Sequence, residues 1–198
     1  HDDAIPPKLS PELMLDMVKT SAVSITSQGY KELQFTLRML VFSRLGLNQL
    51  VLINFLNVSE RVLLETNASL LRAALPSLKR GEPVMAKASL MIASVAGCIE
   101  GVIVLSLPLC LADAIHAMLP YALIYATSVP FARRNKAMQN IALKNRDFGL
   151  VAGINVVSLA LPIVGYILSD YSEDVSVQLG LYAASVLTRE VVVSWIYQ

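Results

Sequence analysis

The chain has 198 residues, 55% of them hydrophobic and only 16% charged, with a mean hydropathy of +0.59. A soluble domain averages about 25% charged and about 45–50% apolar residues, so this balance excludes an ordinary soluble domain and points to a polytopic membrane protein. A net charge of +1 and a pI near 7.9 leave no footprint for nucleic acid.

At about 30–35 residues per span with its loop, the length allows roughly five or six helices. Residues 1–10 form a polar, proline-rich tail. It leads into Ser10 as N-cap, Pro11 at the first helical position and Glu12 in the first turn. The first segment then runs from Pro11 to Leu45 and is only moderately apolar, and the second runs from Leu47 to Leu78. The third, "AKASLMIASVAGCIEGVIVLSLPLCL", is broken only by Glu100 and ends near Pro108. The fourth is "AIHAMLPYALIYATSVPFARRNKAMQNIAL", the fifth "FGLVAGINVVSLALPIVGYILS" and the sixth "VQLGLYAASVLTREVVVSWIYQ". Segments three, five and six are long and apolar enough to span; one, two and four need protein or water on one face. The expected fold is an all-α bundle of six transmembrane helices, one membrane domain over residues 11–198.

Loop charges support six crossings. If the helices cross in turn, the tail, the second–third loop and the fourth–fifth loop share one side. They hold Lys8, then Lys79, Arg80 and Lys87, then Arg133, Arg134, Lys136, Lys144 and Arg146. The other side holds Asp113, His116, Asp170, Glu173 and Asp174, with Arg44 at the first corner. Basic loops then lie on the cytoplasm-equivalent side, as the positive-inside rule requires.

Two segments carry polar stripes. In the second, Asn54, Asn57, Arg61, Glu65 and Arg72 follow at steps of 3, 4, 4 and 7 on one helical face, flanked by Glu60. Arg61 and Glu65 are spaced to pair. In the first, Ser24, Gln28, Lys31 and Arg38 follow at steps of 4, 3 and 7, with Glu32 and Thr36 adjacent. Two readings stand. The faces line a hydrated pathway for substrate or protons, or they form a salt-bridge network or an interface with another subunit.

Other features carry little chemistry. Cys98 and Cys110 read as small core residues, and His116 as a solvated side chain. The sequons at Asn57 and Asn67 fall inside a helix at membrane depth. Pro120, Pro130 and Pro162 read as helix kinks. No phosphate loop, nucleophile elbow, zinc-binding HExxH or cofactor motif is visible, so an enzyme is not expected.

Several stretches taken together resemble the multidrug and toxic compound extrusion (MATE) transporters. "FTLRMLVFSRLG" is similar to the end of the first helix of a MATE lobe. "ASLLRAALPSLKRGEPVMAKASLMIA" resembles the loop into the third helix, "MQNIALKNRDFGLVAGINVV" the fourth-to-fifth turn, and "LALPIVGYIL" the fifth helix. The plastid-type branch is the most similar. The resemblance covers Met14 to Tyr197 and implies one six-helix lobe, more like the C-terminal one. It implies ion-coupled antiport of a small organic molecule, in an organellar membrane such as that of a plastid. A second lobe, a homodimer or other membrane subunits would complete the cleft. The acid of the family's first helix falls at Lys31, with Glu32 one residue on, and "PYALIYATSVPFA" lacks the acid of the fourth helix. Lys31, Glu32, Arg38, Asn57, Arg61, Glu65 and Arg72 are the residues expected to face a cleft or a partner. The alternative is a transport-inactive, MATE-derived structural subunit of a large photosynthetic or respiratory membrane complex.

Overall fold

The computed structural model describes residues 10–44, 83–109 and 119–197. Among them there are five helices and no strand: α1 (Pro11–Ser43), α2 (Pro83–Leu109), α3 (Leu119–Lys144), α4 (Phe148–Ser169) and α5 (Val175–Ile196). These correspond to the first, third, fourth, fifth and sixth segments, and α4 coincides with its segment at both ends. The second segment lies outside the described residues, and with it Asn54, Asn57, Glu60, Arg61, Glu65 and Arg72. Three helices are long and apolar enough to cross a membrane: α2 over Lys87–Ser106, α4, and α5.

The start of α1 follows from its first residues. The Ser10 hydroxyl accepts from the Leu13 backbone N–H at 3.2 Å, satisfying one of the donors that every helix leaves unpaired at its first turn. Pro11 occupies the first turn, where its missing N–H costs nothing.

Helix α2 packs on α3, α3 on α5, α5 on α4, and α4 on α1. The α2–α3 contact depends on small residues. Ser89 and Ala93 are buried, and with Gly97 and Gly101 they recur every fourth residue, forming one face. A Cβ at Gly97 would lie 2.7 Å from the Pro130 Cα, and one at Gly101 would lie 2.8 Å from the Ala126 carbonyl oxygen. Side chains there would hold the two backbones apart. Such small-residue faces are how helices associate where lipid removes the hydrophobic drive between them. Pairing of Ala93 with Ala137, and of Gly101 with Ala126, makes α2 and α3 antiparallel.

The ends of the bundle follow. At the proximal end, where α1 begins, Val23, Ala142, Val151, Phe148 and Tyr197 pack together, and Arg146 reaches Asp16 at 3.3 Å. At the distal end Arg44 donates to Asp170 at 2.8 Å and to Gln178 at 2.9 Å, with its guanidinium 5.3 Å from the Tyr166 ring centroid. Helix α1 thus finishes at the distal end, whereas α2 begins at the proximal one. The main core lies towards the distal half, where Leu37, Val41 and Phe42 of α1 meet Tyr121, Tyr125, Leu179 and Tyr182. Phe42 stands edge-on to Tyr121 at 4.7 Å, and Tyr121 stacks on Tyr125 at 5.4 Å.

Two expectations change. Arg133, Arg134 and Lys136 are not loop residues, because α3 continues past them to Lys144; Lys87 likewise lies within α2. The connection from α3 to α4 shrinks to Asn145, Arg146 and Asp147. It closes by bonds from the Arg146 N–H to the Leu143 carbonyl and from the Asp147 N–H to the Ala142 carbonyl, with Arg146 at φ 64°. This is the left-handed stop usually filled by glycine. The basic excess assigned to that loop therefore reduces to Arg146, with Lys144 in the last turn of α3. Pro120 is the second residue of α3 and not an internal kink, whereas Pro130 and Pro162 do lie inside helices.

The close α2–α3 approach is testable. Gly101→Val should lower the thermal midpoint of the detergent-solubilised protein by several degrees, an overpacking cost of about 1–3 kcal/mol. Val102→Ala, on the exposed side of α2, should leave the midpoint near its starting value.

Candidate functional site

Of the residues expected to face a cleft or partner, Lys31, Glu32 and Arg38 are described, and they do not share one environment. Arg38 is buried; its Nη2 donates to the Tyr125 hydroxyl at 3.0 Å, and its guanidinium lies 5.0 Å from that ring's centroid. Lys31 is seven residues earlier on nearly the same face but remains exposed. Coverage makes the difference, since α3 and α5 close over α1 at the level of Arg38. Glu32 is also exposed and accepts from the Gln28 amide at 3.0 Å. Asn57, Arg61, Glu65 and Arg72 lie outside the described residues.

The structure adds buried charges that the stripe pattern did not single out. Glu100 of α2 and Arg133 of α3 are both buried, 3% and 5% exposed. Arg133 Nε donates to Glu100 Oε2 at 2.6 Å, and its Nη2 donates to Oε1, a two-pronged clasp. Arg suits this position because its planar fork matches a carboxylate. Glu100 was visible as the one charge interrupting an apolar segment. Its partner was hidden because Arg133 sits in a run of basic residues that reads as a loop.

A second cluster forms where α1, α3 and α5 meet. Glu190 is 2% exposed and accepts from Asn135 Nδ2 at 2.9 Å; the same amide also donates to the Glu190 backbone carbonyl at 2.8 Å. Arg189 Nη1 donates to the other Glu190 oxygen, and the Arg189 guanidinium lies 4.2 Å from the Tyr30 ring centroid. Four buried atoms here have no hydrogen-bond partner: the Tyr30 and Tyr197 hydroxyls, Arg189 Nε and Asn135 Oδ1. Each such atom costs about 1–3 kcal/mol when it is left unpaired. Lys136, exposed on α3, donates to Gln139 at 2.7 Å and lies within electrostatic reach of Lys31 and Arg189.

One turn nearer the proximal end, a neutral relay links three helices. Gln139 donates to Asn155 Oδ1 at 3.2 Å, and Asn155 Nδ2 donates to the Thr26 hydroxyl at 3.2 Å. The four-residue steps from Thr26 to Tyr30 and from Asn135 to Gln139 stack the relay directly on the charged cluster. The signal in the sequence was adjacent charges, "RE", in an otherwise apolar sixth segment. Charged residues inside membrane segments face the bundle interior and pair there.

Among the described residues no group of His, Cys, Asp and Glu could hold a metal ion. Compared with known proteins, the chain matches no family model, no curated protein and no solved structure.

The Glu100–Arg133 clasp makes a defined prediction. Arg133→Met should destabilise the protein by about 3–5 kcal/mol, because it removes the two-pronged partner of a buried carboxylate. Combining it with Glu100→Leu should cost less than the two single changes together. A thermal-denaturation double-mutant cycle in detergent checks this, and strict additivity would show that the two side chains are not coupled.

Proposed function

We propose that the chain is a transporter lobe with six membrane crossings, similar to one lobe of a MATE transporter. It would exchange a small organic molecule for H⁺ or Na⁺ across an organellar membrane, with a second lobe or a second copy completing the cleft. The observation that carries this reading is the incompletely bonded polar cluster where α1, α3 and α5 meet. There Tyr30, Asn135 and Glu190 are buried, Arg189 is half-buried beside them, and the exposed Lys136 lies within electrostatic reach of Arg189 and of the exposed Lys31. Lys136 stands eight residues, about 12 Å, inside the end of α3. An ammonium at that depth needs water, protein or a bound molecule beside it, since lipid does not stabilise it. The sixth crossing is supported by the positions of the described ends. Arg44 finishes at the distal end and Pro83 begins at the proximal one.

A second reading is a transport-inactive subunit of a large membrane complex. It is favoured by the buried carboxylates, since Glu100 and Glu190 are each already engaged by an arginine. The first half of α1 also fits it. Exposed Leu13, Met14, Leu15, Met17 and Val18 alternate there with Glu12 and Lys19, a surface too mixed for lipid all round.

Reconstitution separates the two. In vesicles carrying a pH gradient, a transporter should dissipate the gradient when organic anions or cations are added. Glu32→Gln and Glu65→Gln should reduce that flux at least about tenfold if these acids carry the coupling ion. Unchanged flux in both variants would remove them from the coupling. No flux at all, with migration in a large complex on native gels of mildly solubilised membranes, would establish the subunit reading.

A further inference from the structure

We propose that Tyr30, Lys31, Lys136 and Arg189 form a binding site for a small dicarboxylate. The inference rests on the transport reading and deepens it by naming the class of molecule that this polar cluster takes.

The first ground is a set of unanswered donors. The Tyr30 hydroxyl, the Tyr197 hydroxyl and Arg189 Nε–H are all buried without an acceptor, and Tyr30 as a whole is only 8% exposed. Helix packing does not leave such groups unpaired without reason. Arg189 is held from two sides, by Glu190 at one Nη and by the Tyr30 ring beneath its plane. The guanidinium is thus fixed in place with its Nε edge unused. A carboxylate oxygen is the acceptor that this edge and a neighbouring phenol suit.

Charge is the second ground. Lys31 and Arg189 each act on Lys136, and Glu190 is the carboxylate bonded within the cluster. Among the described residues Lys31 has no ion-pair partner, and Lys136 is bonded only to the neutral Gln139. Three cations against one carboxylate favour a ligand with two negative charges. The cations also differ in depth, since Arg189 is largely enclosed while Lys31 and Lys136 are exposed. An extended dianion matches this arrangement better than a compact one. One carboxylate would pair with Arg189 and Tyr30, and the other would stay at the surface with the two exposed lysines.

Equilibrium dialysis of labelled succinate against the purified protein in detergent at low salt tests the site, with inorganic phosphate as a parallel arm. The expected result is saturable succinate binding that weakens as salt rises. Tyr30→Phe removes only an unpartnered hydroxyl, so it should leave the thermal midpoint unchanged or higher. It should also weaken succinate about fivefold, the loss of one hydrogen bond. Lys31→Gln and Lys136→Gln, at exposed positions, should each weaken it by a similar factor and flatten the salt dependence. Three results would overturn the proposal: no saturable succinate binding, tighter binding of phosphate than of succinate, or parental affinity in all three variants. Dicarboxylate binding without vesicle flux would remove the transport reading and leave the site standing. Flux without dicarboxylate binding would do the reverse.

Discussion

Charge carried into apolar helices has to be neutralised where it is buried, and the clasp between Glu100 and Arg133 is where this constraint acts most strongly. Neither side chain could stay at its depth alone. Their pairing sets the rotation of α2 against α3, and the ladder of Ser89, Ala93, Gly97 and Gly101 then lets the two backbones close until Gly97 touches Pro130. An arginine that reads as part of a basic loop is thereby drawn into the helix interior, and α3 gains the turns that carry Asn135 and Gln139 to the middle of the bundle. Glycine and charge act together here, one permitting the approach and the other fixing its register.

The same constraint shapes the junction of α1, α3 and α5, with a different outcome. At Glu100 and Arg133 the hydrogen bonds run in a matched pair. At Arg189 and Glu190 the carboxylate is fully engaged, by the arginine and by Asn135, while part of the arginine and two tyrosine hydroxyls are left over. A purely structural network would be expected to close on itself, because every orphaned donor detracts from stability. Here the network stays open, with the exposed Lys136 beside it. At the bundle ends the ion pairs are more exposed. Arg146–Asp16 and Arg44–Asp170 hold helix termini together but contribute little energy each, since water competes for both partners.

How much was legible in the sequence differs from element to element. The capped start of α1 at Ser10, the limits of α4, and the three helices able to span followed from hydrophobic run length and local signals, which act over a few residues. The end of α3 followed to within one residue, Leu143 against Lys144, but the burial of Arg133 inside it did not. "ARRNK" looks like the polar end of a span unless the acid that neutralises its first arginine is known to stand opposite, and that acid is 33 residues away. The candidate site shows the same division. Helical periodicity placed Lys31 and Arg38 on one face, which is a property of a single helix. Their different surroundings depend on which helices cross α1 at each level, and periodicity holds no information on that.

By itself, then, the sequence determined the helices of the described residues, three of them apolar enough to cross a membrane and the others too polar to stand in lipid alone. Short-range physics is enough for that, because backbone hydrogen bonding and side-chain polarity act within each segment. Only the tertiary structure decided which charges meet. It joined Glu100 to Arg133, sent Arg38 to Tyr125, and left Lys31 and Lys136 facing outwards beside a half-satisfied Arg189. Partners distant in the chain are chosen by packing, and packing here depends on whether two backbones can come close enough for a buried charge to find its opposite.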